Sequence, residues 1–224
     1  MYDKKKPIFV FNKDIAHSLQ LVYDQDVKVF NGKLTAARYV LPKSTFDTPE
    51  TNPDNMCYCN TETGECSPQG VFSTSVCSFG APAYVSFPYF DGASDEIKQG
   101  VNGLDKVRKD LQTYINVHPK YGFTMSGKTY MQLNVQVQKS FGMHQLDMFD
   151  DELILPMAWI EMGLDEADLP EIVTRSMFLV GITVPTIELC LKYGSILGAT
   201  VTLISILIIL RSKWMAHKLK DIEK

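Results

Sequence analysis

The hydrophobic pattern of this chain changes abruptly near its C-terminus. Residues 193–210 are eighteen consecutive residues without a charge, whereas the sequence before them consists of shorter apolar segments separated by polar turns. An α-helix of that length extends about 27 Å, close to the hydrocarbon thickness of a bilayer. Lys192 precedes the segment, and Arg211, Lys213 and Trp214 follow it, which is typical of membrane-spanning helices. The pattern therefore favours a transmembrane helix over an unusually apolar core helix.

A second clear pattern lies in residues 129–138, TYMQLNVQVQ, where apolar and polar side chains alternate. A period of two indicates a β-strand, and it places Met131, Leu133, Val135 and Val137 on one face. Four amide side chains occupy the other face, so we predict an antiparallel strand with one apolar and one solvated face. Two partners fit the apolar face: the protein core, or the interior of a lipid-sized cavity.

Further strands are predicted wherever β-branched and aromatic residues cluster between turn signals. These segments are residues 8–11, 26–30, 34–42, 71–76, 83–90, 113–117, 121–125 and 152–161. Asn31-Gly32 is a strong hairpin signal, His118-Pro119 marks a second turn, and Pro156 favours an edge strand or a bulge.

Two short helices complete the pattern. Asp14 is a candidate N-cap for a helix that ends near residue 24, because Ile15, Leu19 and Val22 follow it at helical spacing. Residues 165–177 predict a second helix that leads towards the apolar segment. The fold class expected from the whole pattern is mainly antiparallel β with short helices, plus one C-terminal transmembrane helix.

The distribution of charge predicts the orientation of the chain. Residues 211–224 contain five Lys/Arg and two acidic residues, so the positive-inside rule places the C-terminus in the cytoplasm. We therefore divide the chain into an extracellular or lumenal region (1–186), a juxtamembrane and transmembrane helix (187–210) and a cytoplasmic tail (211–224). The only apolar run near the N-terminus, IFVF, is too short for a signal peptide. Two alternatives follow: a tail-anchored protein with a cytosolic domain, or a fragment of a longer chain.

The cysteines favour the second alternative. Cys57, Cys59, Cys66 and Cys77 lie within 21 residues, and their spacing lacks the paired C-x2-C knuckles of zinc ribbons. Disulfides are favoured over zinc or free thiols, and they need an oxidising compartment. A turn-rich loop suits a local Cys59–Cys66 bridge. Cys57 and Cys77 are left to pair together or with cysteines of a preceding segment.

Several classes of function find no support in the sequence. There are 17 Lys/Arg and 24 Asp/Glu before Arg211, a formal charge of −7, so a nucleic-acid partner is not expected. Residues 122–129, GFTMSGKT, match the phosphate-binding loop pattern, but they lead into the alternating strand and not into a helix. We interpret this match, including Lys128, as a chance match on a β-hairpin. The four histidines lack metal-ligand spacing and are predicted to be surface or turn residues. We expect no catalytic residues, no bound metal and no cofactor, and we do not expect this protein to be an enzyme.

Several separate segments resemble the class B scavenger receptor family, the group of the fatty-acid translocase, the lysosomal integral membrane protein and the sensory neuron membrane proteins. The resemblance extends in order from Pro7 to Lys213. It rests on YVLPKSTF, NPDNMCYC, GVFSTSVC, GAPAYVSFPYF, VNGLDKV, TYINVHPKYGFTM, LPMAWIE and the terminal anchor with RSK.

The resemblance implies a protein with two membrane passes, cytoplasmic tails and a large glycosylated ectodomain, of which this chain is the C-terminal half. In this family, a β-barrel-like core carries a hydrophobic tunnel towards the bilayer. The resemblance thus implies a receptor that binds lipids, such as fatty acids or sterols, or lipoprotein particles, and passes lipid to the membrane. It also implies that Cys59 pairs with Cys66, and that Cys57 and Cys77 pair with upstream cysteines.

From this expectation we choose four candidates for the lipid cavity: Phe87, Met131, Leu133 and Val135. The alternative function is a single-pass adhesion or docking ectodomain without a lipid conduit.

The sequence departs from the family pattern at three places. Ser78 stands where the mammalian fatty-acid members carry a lysine, which argues against a preference for anionic lipids. Tyr89 replaces the histidine of the usual Pro-His-Phe. The C-terminal DIEK lacks an acidic di-leucine signal, which favours the plasma membrane over lysosomal or endosomal membranes.

Overall fold

The computed structural model of this chain describes residues 3–60, 64–104, 111–139 and 142–222, with residues 216–222 as backbone alone. The middle of the turn-rich cysteine loop (61–63), part of the family-like segment VNGLDKV (105–107) and the last two residues of the predicted tail lie outside these ranges. The chain divides into two units, residues 1–169 and 170–224.

The first unit contains an antiparallel sheet with few helices. Its strands are β1 Ile8–Asn12, β2 His17–Val29, β3 Leu34–Val40, β4 Val71–Ser73, β5 Ala83–Ser86, β6 Tyr114–Val117, β7 Thr124–Gln136 and β8 Ile154–Leu164. Its helical segments are α1 Asp95–Gln99 and 3-10 turns at Lys43–Phe46, Pro53–Tyr58, Pro88–Phe90, His144–Leu146 and Glu166–Asp168. The prediction of a mainly antiparallel β fold with short helices is confirmed.

The strands form one sheet in the order β1-β2-β3-β6-β7-β5-β4, and β8 pairs with β7 outside this path. The long strand β7 is central: its first part pairs with β6, its second part with β5, and its other edge with β8. The register of β7 and β8 shifts between Leu133 and Asn134, next to Pro156. This irregularity confirms the edge strand or bulge expected from that proline.

The main core covers one face of this sheet. Its buried members are Ile15, Leu19, Leu21, Ala37, Tyr39, Leu41, Phe46, Phe72, Val85, Phe87, Val117 and Met131. A smaller cluster contains Val71, Phe90, Ala93 and Ile154, with Tyr84 and Ile97 packed against it. The registers place Val71 opposite Ser86 and Ile154 opposite Gln136, so this second cluster lies on the reverse face.

The helix predicted from Asp14 to about residue 24 is wrong, because the strand β2 begins at His17. Ile15, Leu19 and Val22 match a helical period, but His17, Leu19 and Leu21 also alternate, and it is this alternation that buries them. Residues 17–21 of β2 pair with β1 and residues 22–29 pair with β3, so tertiary context overrides the weak local helical signal. The Asn31-Gly32 hairpin between β2 and β3 is confirmed.

The second unit consists of consecutive helical segments. These are α2 Glu171–Phe178, a π-helical turn Leu179–Thr183 and α3 Val184–Ile222. The span Glu171–Met215 is long and apolar enough to cross a membrane, by its length and composition. The helix predicted near residues 165–177 therefore begins later, at Glu171, and the predicted apolar C-terminal helix is confirmed.

Candidate functional site

One face of the β7–β8 pair carries apolar side chains that remain exposed in the described part of the chain. Leu133 and Val135 of β7 are each 37% exposed. Across the pair, Ala158 lies opposite Leu133, and Leu155 lies opposite Val135. Residues directly opposite each other in an antiparallel pair share one face of the sheet, so these four side chains form one surface.

The same surface continues along β8. Ile160 lies opposite Met131, Met162 opposite Thr129, and Leu164 opposite Gly127, and these three side chains are 41%, 48% and 42% exposed. The β-strand period puts them on the same face as Ala158. We call the exposed part of this surface the apolar strip, and it consists of Leu133, Val135, Ala158, Ile160, Met162 and Leu164, whereas Leu155 is half-buried.

The apolar strip continues the core face of the sheet. Met131, which is 5% exposed, packs in the main core cluster with Phe72 and Val85 and lies two residues before Leu133 on the same face. The hydrophobic surface therefore extends from a covered region into an uncovered region on one sheet face. Contiguous exposed apolar surface of this kind marks a ligand-binding groove or an interaction site.

The opposite face of β7 is buried and polar at Gln132 and Asn134, so the predicted solvated face is wrong at these two positions, whereas Gln136 is half-buried and Gln138, just after the strand, is exposed as predicted. Gln132 and Asn134 are 1% and 0% exposed, and Ser86 of the neighbouring strand β5, which lies opposite Gln132, is also fully buried. The Gln132 side-chain amide donates to Asn134 Oδ1 at 2.8 Å, and the Asn134 amide donates to Ser86 Oγ at 3.0 Å. These mutual hydrogen bonds make the burial of the amides possible.

A left-handed turn closes over this amide cluster. Tyr89 and Phe90 have φ values of 59° and 53°, a region that side chains other than glycine seldom adopt. The Tyr89 backbone N–H donates to Gln132 Oε1 at 2.9 Å, and the Tyr89 ring contacts the Trp159 ring at 4.3 Å between centroids. The Pro88-Tyr89-Phe90 segment, where the sequence departs from the family pattern, thus anchors the loop that covers the reverse face.

The four cavity candidates fall into two groups. Phe87 and Met131 are buried members of the main core cluster, and Phe87 packs against Phe46 with ring centroids 5.0 Å apart. Leu133 and Val135 belong to the apolar strip. The structure therefore brings all four to the core side of the sheet, but only the latter two are exposed enough to contact a ligand in the described arrangement.

The β8 residues of the apolar strip are not among the four cavity candidates predicted from the sequence. The predicted strand ends at residue 161, whereas β8 continues to Leu164, and Ala158, Ile160, Met162 and Leu164 alternate with period two. This alternation could have identified them. It is difficult to recognise in the sequence because Trp159, which lies between Ala158 and Ile160, is also largely apolar.

The cysteine loop contains the local bridge. Cys59 and Cys66 form a disulfide, and this removes two of the four thiolates that a zinc site would use. Cys57 and Cys77 are unbonded and exposed, and both line a cavity of about 680 Å³ together with the disulfide. The cavity is also lined by backbone and side chains of residues 80–82, and none of the four predicted cavity residues contributes to its lining.

The residues that match a phosphate-binding loop lie on a hairpin. The segment begins in the turn after β6 and continues into β7, so no helix N-terminus follows it. Lys128 pairs with Asp165 at 3.0 Å and with Glu161 at 3.3 Å. Hydrogen bonds to these two carboxylates raise the pKa of Lys128, whose ammonium is engaged in an ion pair. The predicted placement of this segment on a β-hairpin is confirmed.

One histidine contradicts the expectation of surface or turn positions. His17 is 4% exposed, and its ring stacks on the Tyr58 ring with centroids 4.1 Å apart. The Phe72 ring meets it in a T-shaped arrangement with centroids 4.6 Å apart. Burial lowers the pKa of the His17 imidazole. His118 is a turn residue as predicted, and its Nδ1 accepts hydrogen bonds from the backbone N–H groups of Lys120 and Tyr121.

Comparison with known proteins agrees with the resemblance seen in the sequence. A model of the CD36 family matches residues 1–210. Scavenger receptor class B member 1 of Rattus norvegicus is 28% identical over 153 residues, which cover 68% of this chain and 28% of that protein. Sensory neuron membrane protein 2 of Manduca sexta is 29% identical over 161 residues, which cover 70% of this chain and 30% of that protein.

Sensory neuron membrane protein 2 of Heliothis virescens is 27% identical over 180 residues, which cover 78% of this chain and 33% of that protein. The chain thus spans about a third or less of the length of these curated relatives. Because the family match includes all of the residues before the tail, this chain belongs to the CD36 family.

Proposed function

We propose that this chain is the C-terminal portion of a membrane receptor that binds lipids or lipoprotein particles and passes lipid along its ectodomain to the membrane. Membership of the CD36 family supports the receptor class, and similarity to a scavenger receptor supports a lipid or lipoprotein ligand. The observation that carries the proposal is the apolar strip, which continues the core face of the sheet and stays exposed among the described residues.

The mechanism is transfer without chemical change. A lipid tail in water exposes methylenes, and each methylene kept against an apolar wall contributes about 0.8 kcal/mol. Leu133, Val135 and Ile160 offer such a wall along one side of β7 and β8. Phe87 and Met131 support this wall from the core, and they become lining residues if the path extends beyond the strip.

The polar chemistry near the cysteine loop favours neutral lipids or the apolar part of a ligand. Ser78 is half-buried, its hydroxyl oxygen is 3.3 Å from Thr74 Oγ1, and it carries no charge for a lipid carboxylate. Fatty acids and sterols are therefore bound mainly through their hydrocarbon, and the carboxylate gains no ion pair at this position.

The proposed topology rests on the apolar segment at residues 193–210 and on the cations that follow it. Residues 1–186 belong to an extracellular or lumenal domain, residues 187–210 to the juxtamembrane and transmembrane helix, and residues 211–224 to a cytoplasmic tail. The plasma membrane is the proposed location. Cys57 and Cys77, whose thiols are exposed, form disulfides with cysteines that precede this chain in the complete protein.

A blocking substitution tests the proposal in the complete receptor. Val135→Trp adds bulk to the apolar strip, and Thr124→Trp adds the same bulk to an exposed position of the same strand. With both variants matched for cell-surface expression, we expect Val135→Trp to reduce uptake of a labelled sterol or fatty acid at least threefold, and Thr124→Trp to leave it near wild type. Equal uptake by the three proteins contradicts the proposed wall.

The alternative is a single-pass adhesion or docking ectodomain without a lipid conduit. It differs from the proposal in what co-purifies with the protein. Mass spectrometry of lipids extracted from the purified complete ectodomain is expected to find bound lipid in near-stoichiometric amounts. An ectodomain free of lipid that still binds a protein ligand would support the alternative.

A further inference from the structure

The helix α3 continues without interruption beyond the apolar segment to Ile222. Its first ten residues after the apolar segment, 211–220, contain four Lys/Arg and no Asp/Glu. At the other end of the apolar segment, residues 183–192 contain one glutamate and one lysine. The formal charge is therefore +4 in the ten residues after the apolar segment and zero in the ten residues that end at Lys192.

Two aromatic residues mark the levels of the membrane surface on this helix. Tyr193 and Trp214 are 60% and 63% exposed and lie twenty-one residues apart, which corresponds to about 32 Å along the helix axis. That distance matches a hydrocarbon core of about 30 Å, and Tyr and Trp favour the two interfaces of a bilayer. Arg211 and Lys213 therefore lie at the level of the headgroups.

The remaining two cations stay close to that surface. Lys218 and Lys220 follow Trp214 by four and six residues, or about 6 and 9 Å along a helix. Both distances are comparable to the Debye length of about 8 Å at physiological ionic strength, so the field of charged headgroups reaches them. All four cations thus contribute to one electrostatic site at the membrane surface.

The angular positions of these cations fit a helix that emerges from the bilayer. Arg211 and Lys218 are seven residues apart and share one side of the helix, and Lys213 and Lys220 share nearly the opposite side. A helix lying flat on the membrane concentrates its cations along one polar face. A helical period that places cations at two opposite positions instead fits a helix that crosses the surface.

We propose that residues 211–220 form a binding site for anionic phospholipids, which they recognise by charge and select from the surrounding leaflet. Clusters of four to eight cations next to a membrane helix attract anionic lipids by charge. The site rests on the proposed transmembrane orientation of α3. It is independent of the apolar strip, because it uses no residue of the β-sheet.

Spin-labelled lipids measure this selectivity directly. The complete receptor is reconstituted in phosphatidylcholine vesicles that contain a trace of spin-labelled phosphatidylcholine, phosphatidylserine or phosphatidylglycerol. Electron spin resonance then gives the association of each lipid with the protein relative to phosphatidylcholine. We expect phosphatidylserine and phosphatidylglycerol to associate about threefold more strongly at low salt, and this preference to fall towards one in 0.5 M salt.

Matched variants assign the selectivity to the tail. Changing Arg211, Lys213, Lys218 and Lys220 together to Gln is expected to abolish it, whereas changing the three lysines to Arg is expected to retain it. Lys192→Gln, at the other end of the same helix, is expected to leave it unchanged. The inference is overturned if all three lipids associate equally or if only phosphatidylserine is preferred. It is also overturned if the preference survives when all four cations are changed to Gln.

Flotation of the same samples separates this inference from the proposed topology. Protein that floats with neutral vesicles but shows no anionic preference overturns the lipid site alone. Protein that fails to float with any vesicle contradicts the membrane span itself.

Discussion

The indole Nε1–H of Trp159 donates a hydrogen bond of 3.1 Å to Oε1 of Gln132, directly across the β7–β8 pair. The same oxygen accepts from the backbone of Tyr89, so one buried amide joins the central strand, the edge strand and the covering loop. The apolar strip lies on the reverse side of these same strands. The amide cluster therefore holds the wall of the proposed lipid path in place from behind.

Removing this amide is expected to destabilise the complete ectodomain strongly. Gln132→Leu removes the acceptor of the Tyr89 backbone N–H and the donor to Asn134 Oδ1, and each buried unsatisfied group costs about 1–3 kcal/mol. The Trp159 N–H also loses its acceptor, but this side chain is 50% exposed and water can replace part of that bond. We expect a loss of about 2–4 kcal/mol in the free energy of unfolding, measured by urea titration with tryptophan fluorescence. Gln138→Leu, at an exposed position shortly after β7, is the matched control. Similar losses in both variants would contradict the structural role of the cluster.

His17 is expected to make the ectodomain less stable in acid. Burial between aromatic rings holds the pKa of its imidazole below the ordinary value, so the unfolded chain binds the proton more readily than the folded protein. Its contribution to stability is therefore complete above about pH 6.5 and is lost progressively as the pH falls below that value. Burial and the nearby Lys120 lower the pKa of His118 as well, so the two histidines act in the same direction.

Thermal unfolding between pH 7.5 and 5 measures this contribution. His17→Phe keeps an aromatic ring in the same packing and removes the titrating group. We expect this variant to lose less stability in acid than the wild type does, while His144→Gln, at a highly exposed position, behaves as wild type. If His17→Phe and the wild type lose stability in parallel, His17 does not carry the effect.

The cysteines give a covalent test of the proposed topology. Peptide mapping of the native receptor without reduction is expected to recover the Cys59–Cys66 bridge, and to find Cys57 and Cys77 each joined to a peptide that precedes this chain. Closing such a short loop contributes about 2 kcal/mol, so Cys59→Ser is expected to lower stability by about that amount. Recovery of Cys57 and Cys77 as free thiols would contradict the proposed pairing and weaken the extracellular assignment.

Lys128 offers a test of the rejected nucleotide site. Its ammonium is held by two carboxylates on a β-hairpin, where no helix N-terminus is available for phosphate. We expect neither the wild type nor Lys128→Ala to bind ATP in equilibrium dialysis. Saturable ATP binding that disappears in Lys128→Ala would show that the hairpin interpretation is wrong.

The strand pattern was predictable wherever local signals were strong. Alternation identified β7, the Asn31-Gly32 turn identified the β2–β3 hairpin, and Pro156 identified the irregular edge strand. The short separation between Cys59 and Cys66 within a turn-rich loop made their bridge predictable as well. These features depend on neighbouring residues, which a sequence displays directly.

The side of β7 that is covered was not predictable, because it depends on distant segments. Alternation separates two faces but does not show that the loop around Tyr89 and Phe90 buries Gln132 and Asn134. Likewise, β2 matched a helical period locally and became a strand through its pairing with β1 and β3. His17 is buried for the same reason, since Phe46, Tyr58 and Phe72 come to it from later parts of the chain.

The most direct test of the apolar strip is photocrosslinking of the complete receptor with a photoactivatable sterol or fatty acid, followed by peptide mapping. We expect adducts on the peptides that carry Leu133, Val135 and Ile160. Excess unlabelled lipid is expected to reduce these adducts, and Val135→Trp is expected to abolish those on the residues next to position 135. Adducts confined to other surfaces, with none on β7 or β8, would contradict it.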